Sequence, residues 1–475
     1  TIVVTIPAGQ SSALAAVSLI DDNLVEANKE VSLMLTMPTG GAIIGTRNSA
    51  LLRIVDNERI GSVDSGFLLG AGADNNVQAV IYYTNTLSTN FGKALIAGEF
   101  LQYNGTNRVR IARLFPDGTL DLSFDPGAGP DNVVNAIAVD DQDRVIIGGS
   151  FANVGGVSRL NIARLNPDGT PDTAYNSSGV GANSAVLAIR LDGAGRALIG
   201  GAFTTYNGTP SIRIARLATD GSLDTSFNPG SGADGTVRSI DIDDAGNILI
   251  AGAFNNYNGA SPPQPKVARL SSTGILDTSL LSAFASSVDL HVVRVQKTGG
   301  IIIAGTFNSV GPQARTNLAR LLASDGSADP SFNSSAFANS LVRTLEFDPI
   351  GRLLIVGDFS TVNGQSRGRI ARLSATGDLD TTFDTGRGFE VSVTAIAVSP
   401  EGRVLVGGKF TEADGLPRNH LARLNGDLGA VEVASATVSV LERSTVVMIP
   451  LQRINGVSGS IVVDYTVTDG TATGN

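Results

Sequence analysis

The 475 residues carry 44 acidic and 34 basic side chains, a net charge of -10, and no run of Lys or Arg interrupts that acidity. This balance argues against a nucleic-acid or anionic-membrane partner and suits divalent cations. No Cys is present, which excludes disulfides and thiolate metal sites, and no apolar run reaches the roughly 18 residues of a membrane span. The 56 Gly and 18 Pro, with abundant Val, Ile, Thr and Phe, predict an all-β protein of short strands and tight turns.

The chain opens with a strand-rich segment, residues 1–59, whose markers lie at residues 17–26, 38–45 and 54–57. These stretches resemble the second half of a Calx-beta domain, an Ig-like β-sandwich. We interpret residues 1–59 as the C-terminal half of such a sandwich. The chain also starts at Thr1 rather than Met, so we expect it to be an excerpt of a longer protein.

A repeat with a period of about 52 residues dominates the chain from residue 60 onwards. Its first marker is Ala-Arg-Leu, which starts at Ala112, Ala163, Ala215, Ala268, Ala319, Ala371 and Ala422. Its second marker is a Gly two residues before a Phe, and those aromatic residues are Phe100, Phe151, Phe203, Phe254, Phe307, Phe359 and Phe410. Two independent markers therefore agree on seven units.

Each unit is predicted to form four short antiparallel strands, named a to d. In the first complete unit, strand a covers residues 134–139, strand b 144–148 and strand c 161–165. Strand d follows a Pro-Asp-Gly turn, as at residues 120–124, and the b–c loop carries an Asn-Gly turn in four units. A four-stranded meander repeated seven times predicts a seven-bladed β-propeller.

Small residues on strands a and b, such as Ala136 and Ala138 on strand a, are predicted to lie where the blades converge on the axis. Gly148 and Gly149 are examples, and we attribute both to the taper of the wedge-shaped blades. The seven Phe of the second marker are expected to fill the wider space between the sheets.

The two ends of the repeat predict how the ring closes. The last unit ends after strand c, near Asp427, whereas an unpaired strand d stands at residues 61–67, ahead of the first strand a. Three strands from the C-terminal side and one from the N-terminal side would complete a seventh blade with no open sheet edge. We therefore predict a propeller of residues 60–427 with 3+1 closure.

Two stretches of the repeat point to a known family. Residues 111–124 read IARLFPDGTLDLSF and residues 402–410 read GRVLVGGKF. They resemble the delta-60 repeat propellers of bacterial surface proteins, and the resemblance covers residues 61–427. It implies an extracellular setting, secreted or at the cell surface, without a defined catalytic site. Kelch blades also carry a Gly pair, but they contain a Trp, which this chain lacks.

The chain ends with residues 428–475, which resemble the first half of a Calx-beta sandwich at residues 438–442 and 464–472. The two halves stand in reversed order relative to one whole domain. Two arrangements fit this order. One is an array of Calx-beta, propeller and Calx-beta modules cut at both ends, and the other is a single permuted sandwich in which the two halves pair.

The Calx-beta resemblance implies a Ca²⁺ site, because calcium takes roughly six to eight oxygen ligands, mostly from carboxylates on loops. The residues at matching positions are Asp21, Asp22, Glu26, Asp56, Glu442 and Asp469. Lys29 and Asn57 stand where the strongest binders of the family have carboxylates, so fewer or weaker ions are expected. The alternative is that the paired acidic positions are solvated turns.

Each Arg of Ala-Arg-Leu has a matching acidic residue on strand d, in most units eight positions later: Asp64, Asp121, Asp172, Asp224, Asp277, Asp329 and Asp380. Across a c–d hairpin this spacing brings the two charges together. Because the pair recurs in every blade, we predict that it is structural.

No catalytic constellation stands out. The two His, His291 and His420, have no metal-ligand spacing, and Gly-X-Gly loops such as residues 127–129 precede no helix that would bind a phosphate. We predict a non-catalytic binding or adhesion module, monomeric in its propeller, that recognises an extracellular protein or glycan with its b–c and d–a loops. A propeller enzyme acting on extracellular polysaccharide and a structural spacer are the alternatives.

Overall fold

The computed structural model describes residues 3–8, 10, 12–17, 29–36, 38–54, 58–67, 70–280, 284, 288–333, 337–427, 430–434 and 449–454. The chain divides into two compact units, residues 1–58 and 59–475. Every regular element in the described ranges is a β-strand, as the composition predicts. Within those ranges, no helix is long and apolar enough to cross a membrane.

The described residues of the first unit form one antiparallel strand pair. Lys29–Met34 pairs with Ser49–Ile54, and Val31 lies opposite Leu52. Lys29, which occupies a position expected to weaken calcium binding, begins the first of these strands.

The second unit contains seven three-stranded antiparallel sheets, one for each repeat. The inner strands a are Val77–Tyr82, Val134–Val139, Val186–Leu191, Val237–Ile242, Asp289–Val295, Val342–Phe347 and Val393–Val398. The middle strands b are Ala94–Gly98, Val145–Gly149, Ala197–Gly201, Ile248–Gly252, Ile301–Thr306, Leu353–Gly357 and Val404–Gly408. The third strands c are Ile111–Leu114, Ile162–Leu165, Ile214–Leu217, Val267–Leu270, Leu318–Leu321, Ile370–Leu373 and Leu421–Leu424. The order a–b–c in each sheet confirms the predicted meander and the seven-bladed propeller.

The fourth, outer strand d is shorter than the sequence suggests. In each of the first six blades it makes a single β-bridge to the end of strand c, for example Leu114 to Leu120 and Leu165 to Pro171. Turns follow at once, because the carboxylate of Asp121 accepts a hydrogen bond from the backbone N–H of Ser123 and folds the segment back. The outer edge is therefore held mainly by side chains.

Short ribbons fill the b–c connections of six blades: Gln102–Tyr103 with Thr106–Asn107, Asn153–Val154 with Val157–Ser158, Thr205–Tyr206 with Thr209–Pro210, Ser309–Val310 with Gln313–Ala314, Thr361–Val362 with Gln365–Ser366, and Glu412–Ala413 with Leu416–Pro417. At the predicted Asn104-Gly105 turn both residues have positive φ, 52° and 73°. Such angles give the turn that suits a two-residue hairpin. A last pair, Ala430–Val433 with Leu451–Ile454, follows the propeller in the chain.

The ring closes as predicted. Val63 forms an antiparallel bridge to Leu424, and the N–H of Asp64 donates to the carbonyl oxygen of Arg423 at 2.8 Å. The N–H of Asn425 donates in turn to Ser62. The N-terminal segment thus supplies the outer edge of the blade whose other three strands come from the C-terminal side.

The hydrophobic core consists of seven clusters, each between two neighbouring sheets. In one of them Leu95 and Ile111 of the first blade pack with Ile147 of the second. In the closing cluster Leu405 of the seventh blade packs with Ile96 of the first. The seven Phe of the repeat are all buried in these clusters, at most 6% exposed. Burial on both faces explains why strands b are almost entirely apolar rather than alternating. Strands a also carry polar residues, such as Arg238 and Asp241.

The closure gives a test of ring stability. We compare a chain that starts at Arg59 with one that starts at Gly70 and so lacks the closing segment. The shorter chain exposes the edge of the strand Leu421–Leu424, and we expect it to melt at least about 5 °C lower. Calorimetry or circular dichroism measures the difference, and equal melting temperatures would contradict the closure.

Candidate functional site

The predicted Arg–Asp pairs form in all seven blades. The Nε of each Arg lies 2.7 to 2.8 Å from the carboxylate of its Asp. In the closing blade the partners are Arg423 and Asp64, which come from opposite ends of the propeller, and Asp64 is fully buried. The prediction that this pair is a structural element of every blade is confirmed.

The same guanidinium also reaches the next blade. Nη1 of Arg113 donates to the carbonyl oxygen of Pro167 at 2.6 Å, and Nη1 of Arg269 donates to that of Ala323 at the same distance. Arg423 returns to Pro116 of the first blade and completes the circle. In six blades the guanidinium carbon also lies 4.4 to 5.2 Å from the ring centre of the aromatic residue that ends segment d. Each Arg therefore joins two strands of its own blade and the blade beside it.

A second repeated feature is a β-bulge near the start of every inner strand. The a–b pairing skips one residue in each blade, for example between Val134 and Ala136, where Asn135 is the extra residue. The Gly of Gly-X-Phe lies opposite the bulge, and a Cβ on Gly149 would collide with the carbonyl oxygen of Val133. Gly148 is different, since its Cβ would meet Val186 of the next blade. Taper explains Gly148 as predicted, but the bulge rather than taper explains Gly149.

The bulge decides which side chains face the propeller axis. It re-aims one residue per blade, as bulges commonly do: Gln78, Asn135, Leu187, Arg238, His291, Arg343 and Thr394. Six of them, all except Asn135, line one cavity of about 190 Å³. Since they come from six different blades, the cavity lies on the axis. We call it the axial mouth.

The axial mouth opens on the face that the sequence favours for recognition. The bulge residues stand at the start of strands a, next to the ends of strands b, where the d–a and b–c connections meet. The opposite face carries the long first a–b connection, but its Tyr82 and Tyr83 are only 5% and 1% exposed and belong to the core. They are therefore not a recognition surface.

Two ion pairs flank the axial mouth; one joins two neighbouring blades and the other lies within one blade. Arg238 of the fourth blade binds Asp289 of the fifth through Nε and Nη2, both at 3.0 Å. Arg343 binds Asp358 in the same bidentate way at 2.7 Å. These side chains are 27 to 35% exposed. They are more accessible than six of the seven Arg–Asp pairs of the outer edge, in which no side chain is more than 16% exposed.

His291 lies between these pairs. Its Nε2 is 3.5 Å from a carboxylate oxygen of Asp289. Burial lowers the pKa of His291, Arg238 and Arg343 lower it further, and Asp289 opposes the shift. The imidazole is therefore neutral at pH 7. For Asp358, burial would raise the pKa, but hydrogen bonds from Arg343 and Ser392 outweigh it and hold the pKa below its usual range.

The first blade contributes a group of polar side chains on another side of the axial mouth. The carboxylate of Glu99 accepts hydrogen bonds from the amides of Asn76 and Gln78, both at 3.0 Å. In the seventh blade the hydroxyl of Thr394 donates to the carbonyl oxygen of Val77 at 2.8 Å. Leu187 is the apolar member among the side chains that line the cavity. The mouth is thus a mixed polar ring that differs in every blade.

The other histidine has a structural position. His420 precedes strand c and has a φ of 62°, and the equivalent residues of the other blades also have positive φ. Its Nδ1 lies 3.1 Å from the carbonyl oxygen of Gly408. Arg369 has the same position in the sixth blade and donates to the carbonyl oxygen of Asp358, the residue after strand b, at 2.5 Å. These residues hold the end of strand b.

The predicted calcium ligands cannot be placed around a common site. Asp21, Asp22, Glu26, Asp56, Glu442 and Asp469 all lie outside the described residues, as does Asn57. Within the described part of the chain, no three acidic or His side chains come together as a metal site requires. The calcium prediction stays a prediction.

Comparison with known families agrees with this architecture. Seven segments match the model of a β-propeller family described as a domain of unknown function, DUF5122: residues 92–124, 143–175, 195–227, 246–280, 296–332, 351–383 and 400–428. The chain carries seven repeats of the DUF5122 β-propeller domain. Each matched segment runs from the a–b connection into segment d, except the last, whose segment d is supplied from the N-terminal side. No curated protein matches the sequence.

Several solved propellers are similar in fold. The WD40 propeller domain of Doa1 is 12% identical with a TM-score of 0.49, over 77% of this chain and 95% of that one. The extracellular domain of BT3049 from B. thetaiotaomicron is 11% identical, TM-score 0.46, over 82% of this chain and 45% of that one. That of BT4673 is 14% identical, TM-score 0.47, over 82% and 47%. The chain spans less than half of the last two, and these likenesses carry no conclusion about ligand or reaction.

Sequence reasoning missed the axial mouth. The signal was present in the Gly of Gly-X-Phe, which recurs in all seven units, and in the varied residue near the start of each strand a, one position after its start in six blades and two in the fifth. An obligatory Gly opposite a varying residue indicates a bulge that presents different side chains from identical positions.

The outer Arg–Asp pairs predict a specific loss of stability. Asp172→Ala leaves the guanidinium of Arg164, 6% exposed, without its carboxylate. Removing one partner of a buried pair typically costs about 3 to 5 kcal/mol in the free energy of unfolding. Asp244→Ala, at an exposed position of the fourth blade, is the matched control and should cost less than about 0.5 kcal/mol. Urea denaturation measures both, and equal effects would contradict the structural role.

The pH dependence of the same pair gives a second readout. Burial would raise the pKa of Asp172, but the bond to Arg164 prevails and lowers it. A carboxyl group with a lowered pKa in the folded state stabilises the protein above its unfolded pKa, near about 4. The gap between wild type and Asp172→Ala should therefore narrow as the pH falls from 5 towards 2.

Proposed function

We propose that this chain is a non-catalytic binding module of a secreted or surface-exposed bacterial protein, whose propeller binds its ligand at the axial mouth. The observation that carries this proposal is the ring of bulge residues. Six equivalent backbone positions hold six side chains of five types around one cavity, whereas the Arg–Asp pairs and the buried Phe repeat in every blade. Repeated features serve the scaffold, so the varied ring is the place for recognition.

The shape and chemistry of the mouth support a binding role. A concave site lined by a few convergent polar groups on a rigid scaffold is the usual form of a ligand site. Here the polar groups are already oriented, since Arg238 and Arg343 are each fixed by two hydrogen bonds to a carboxylate. Little ordering of side chains is then needed when a ligand enters, which favours affinity.

The carboxylates near the mouth favour binding over glycoside hydrolysis. Such hydrolysis normally requires one carboxylic acid with a raised pKa to protonate the leaving group. Asp358 has a lowered pKa and gives both oxygens to Arg343. Asp289 likewise gives both oxygens to Arg238. These groups act as supports for guanidinium groups.

The proposed extracellular location and the proposed class of partner are inferred from the sequence. The resemblance to delta-60 repeat propellers and to Calx-beta modules supports an extracellular location and a protein or glycan as the partner. In this proposal the sandwich segments bind Ca²⁺ through Asp21, Asp22, Glu26, Asp56, Glu442 and Asp469 and stiffen the chain on both sides of a monomeric propeller. Adhesion is the role that combines these parts.

The mouth can be blocked without disturbing the scaffold. Leu187→Trp puts a large side chain into the cavity, and Leu122→Trp is the matched control at a position 69% exposed. On an array of bacterial and plant glycans and extracellular proteins, we expect Leu187→Trp to lose the binding that the wild type and Leu122→Trp keep. All three should melt within about 2 °C of each other. Equal binding by both variants would contradict a site at the axial mouth.

Calcium binding is tested separately. A chain extended to include whole flanking modules is titrated with Ca²⁺ in a calorimeter after chelation, and we expect saturable binding. Asp22→Ala should weaken it, because one carboxylate ligand is lost, whereas Asp244→Ala in the propeller should leave it unchanged. The absence of binding, or an unchanged affinity in Asp22→Ala, would leave the sandwich segments as spacers.

A further inference from the structure

We infer that the axial mouth selects an anionic group of its ligand, a carboxylate or a sulfate, and holds it between Arg238 and Arg343. This inference rests on the proposed function, since it concerns the same cavity. It adds the chemical class of the ligand, which neither the repeat nor the family match assigns.

The charges that line the cavity point to an anion. Its lining includes the guanidinium groups of Arg238 and Arg343 and the imidazole of His291, with Gln78, Thr394 and Leu187. The neighbouring carboxylates of Asp289 and Asp358 bind the two Arg but do not line the cavity. An entering group therefore meets cations first, although the whole chain carries a net charge of -10.

Each Arg keeps a donor for the ligand. Arg238 and Arg343 use Nε and Nη2 for their Asp partners. Within the described residues, Nη1 of neither Arg makes a hydrogen bond to the protein. The guanidinium fork is planar, so the bond to the Asp on one edge fixes the direction of the remaining N–H groups. Two such donors from the fourth and sixth blades, with His291 of the fifth between them, suit the separate oxygens of a carboxylate or sulfate.

The histidine makes the affinity depend on pH. The charged groups that face His291 are Asp289, Asp358, Arg238 and Arg343, and the neutral imidazole is favoured at pH 7. A bound anion adds negative charge beside the ring and so favours its protonated form. By linkage, binding should raise the pKa of His291, and acidification should strengthen binding.

The full chain offers a direct probe, because it contains only two His, His291 and His420. Their ring signals are followed by NMR during titration with D-glucuronate, inorganic sulfate and D-glucose, and His291→Asn assigns them. We expect glucuronate or sulfate to shift the His291 signals saturably and to raise the measured pKa of His291. Glucose should have no effect, and the signals of His420 should not move. Affinity for the anion should increase several-fold between pH 8 and pH 5.5.

Variants identify the two anchors. Arg238→Gln and Arg343→Gln should each weaken binding of the anion about tenfold or more, whereas Arg387→Gln, an exposed position on the same face, should not. Arg238→Lys and Arg343→Lys keep the charge but lose the fork. They serve as a second set should a Gln variant fail to fold, and they should also bind more weakly.

The outcomes separate this inference from the proposed function. Binding of sulfate alone or of glucuronate alone supports an anion site and names the source of the charge. Binding that is unchanged in both Gln variants, or no response of His291 to either anion, overturns the inference. The proposed function would survive that result if a neutral ligand still bound in a manner sensitive to Leu187→Trp, and it would fall with the inference if that substitution had no effect on any ligand.

Discussion

The guanidinium of the Ala-Arg-Leu repeat is the contact on which the ring depends. A planar group with five donors satisfies the Asp of its own outer segment, a carbonyl oxygen of the next blade and an aromatic face at once. Because each Arg reaches forward to the next blade, the contact defines a direction around the ring, and Arg423 must find Pro116 for the circle to finish. The sixth blade keeps this contact with the next blade in another form. Arg372 lies 3.5 Å from the carboxylate of Asp427, whereas the Arg of each other blade meets a carbonyl oxygen.

This outer network explains why segment d needs so little β-structure. A single bridge to strand c would hold an outer strand weakly, yet Asp64 joins the closing segment to both Arg403 and Arg423. In the other blades, too, the Arg–Asp side-chain contacts hold segment d, which has little backbone pairing of its own. The outer Arg–Asp pairs and the seven apolar clusters stabilise the scaffold. The bulge residues at the axis are therefore not required to stabilise it.

The sequence predicts those structural features that recur in every unit. The seven units, strands a to c, the 3+1 closure and the pairing of Arg164 with Asp172 all follow from markers that recur at constant spacing. The axial mouth could not be derived in that way, because its members share a backbone position and no side-chain type. Asp358 comes just after strand b of the sixth blade and meets Arg343 within the same sheet. Asp289 begins a strand of the fifth blade, and only the folded ring brings it beside Arg238 of the fourth. The prediction that taper explains Gly149 was wrong for a related reason. Taper and a β-bulge both require a residue without a side chain, so the sequence does not distinguish them.

The two ion pairs at the axial mouth are the strongest evidence that the cavity on the propeller axis has a function. The pairs of the rim recur seven times, as a scaffold requires, and in six of them neither side chain is more than 16% exposed. As far as the described residues extend, Arg238–Asp289 and Arg343–Asp358 are not repeated as ion pairs in the other blades, and their side chains are 27 to 35% exposed. In the first blade, the neutral Gln78 bonds to Glu99 at the positions of Arg343 and Asp358. Partly exposed ion pairs usually contribute only about 0 to 1 kcal/mol to stability. Bidentate geometry increases this contribution, but stability alone does not explain why both pairs border one cavity. Orientation does account for them, because a guanidinium held by two hydrogen bonds presents its remaining donors in a fixed direction, and here both sets border the same 190 Å³ cavity.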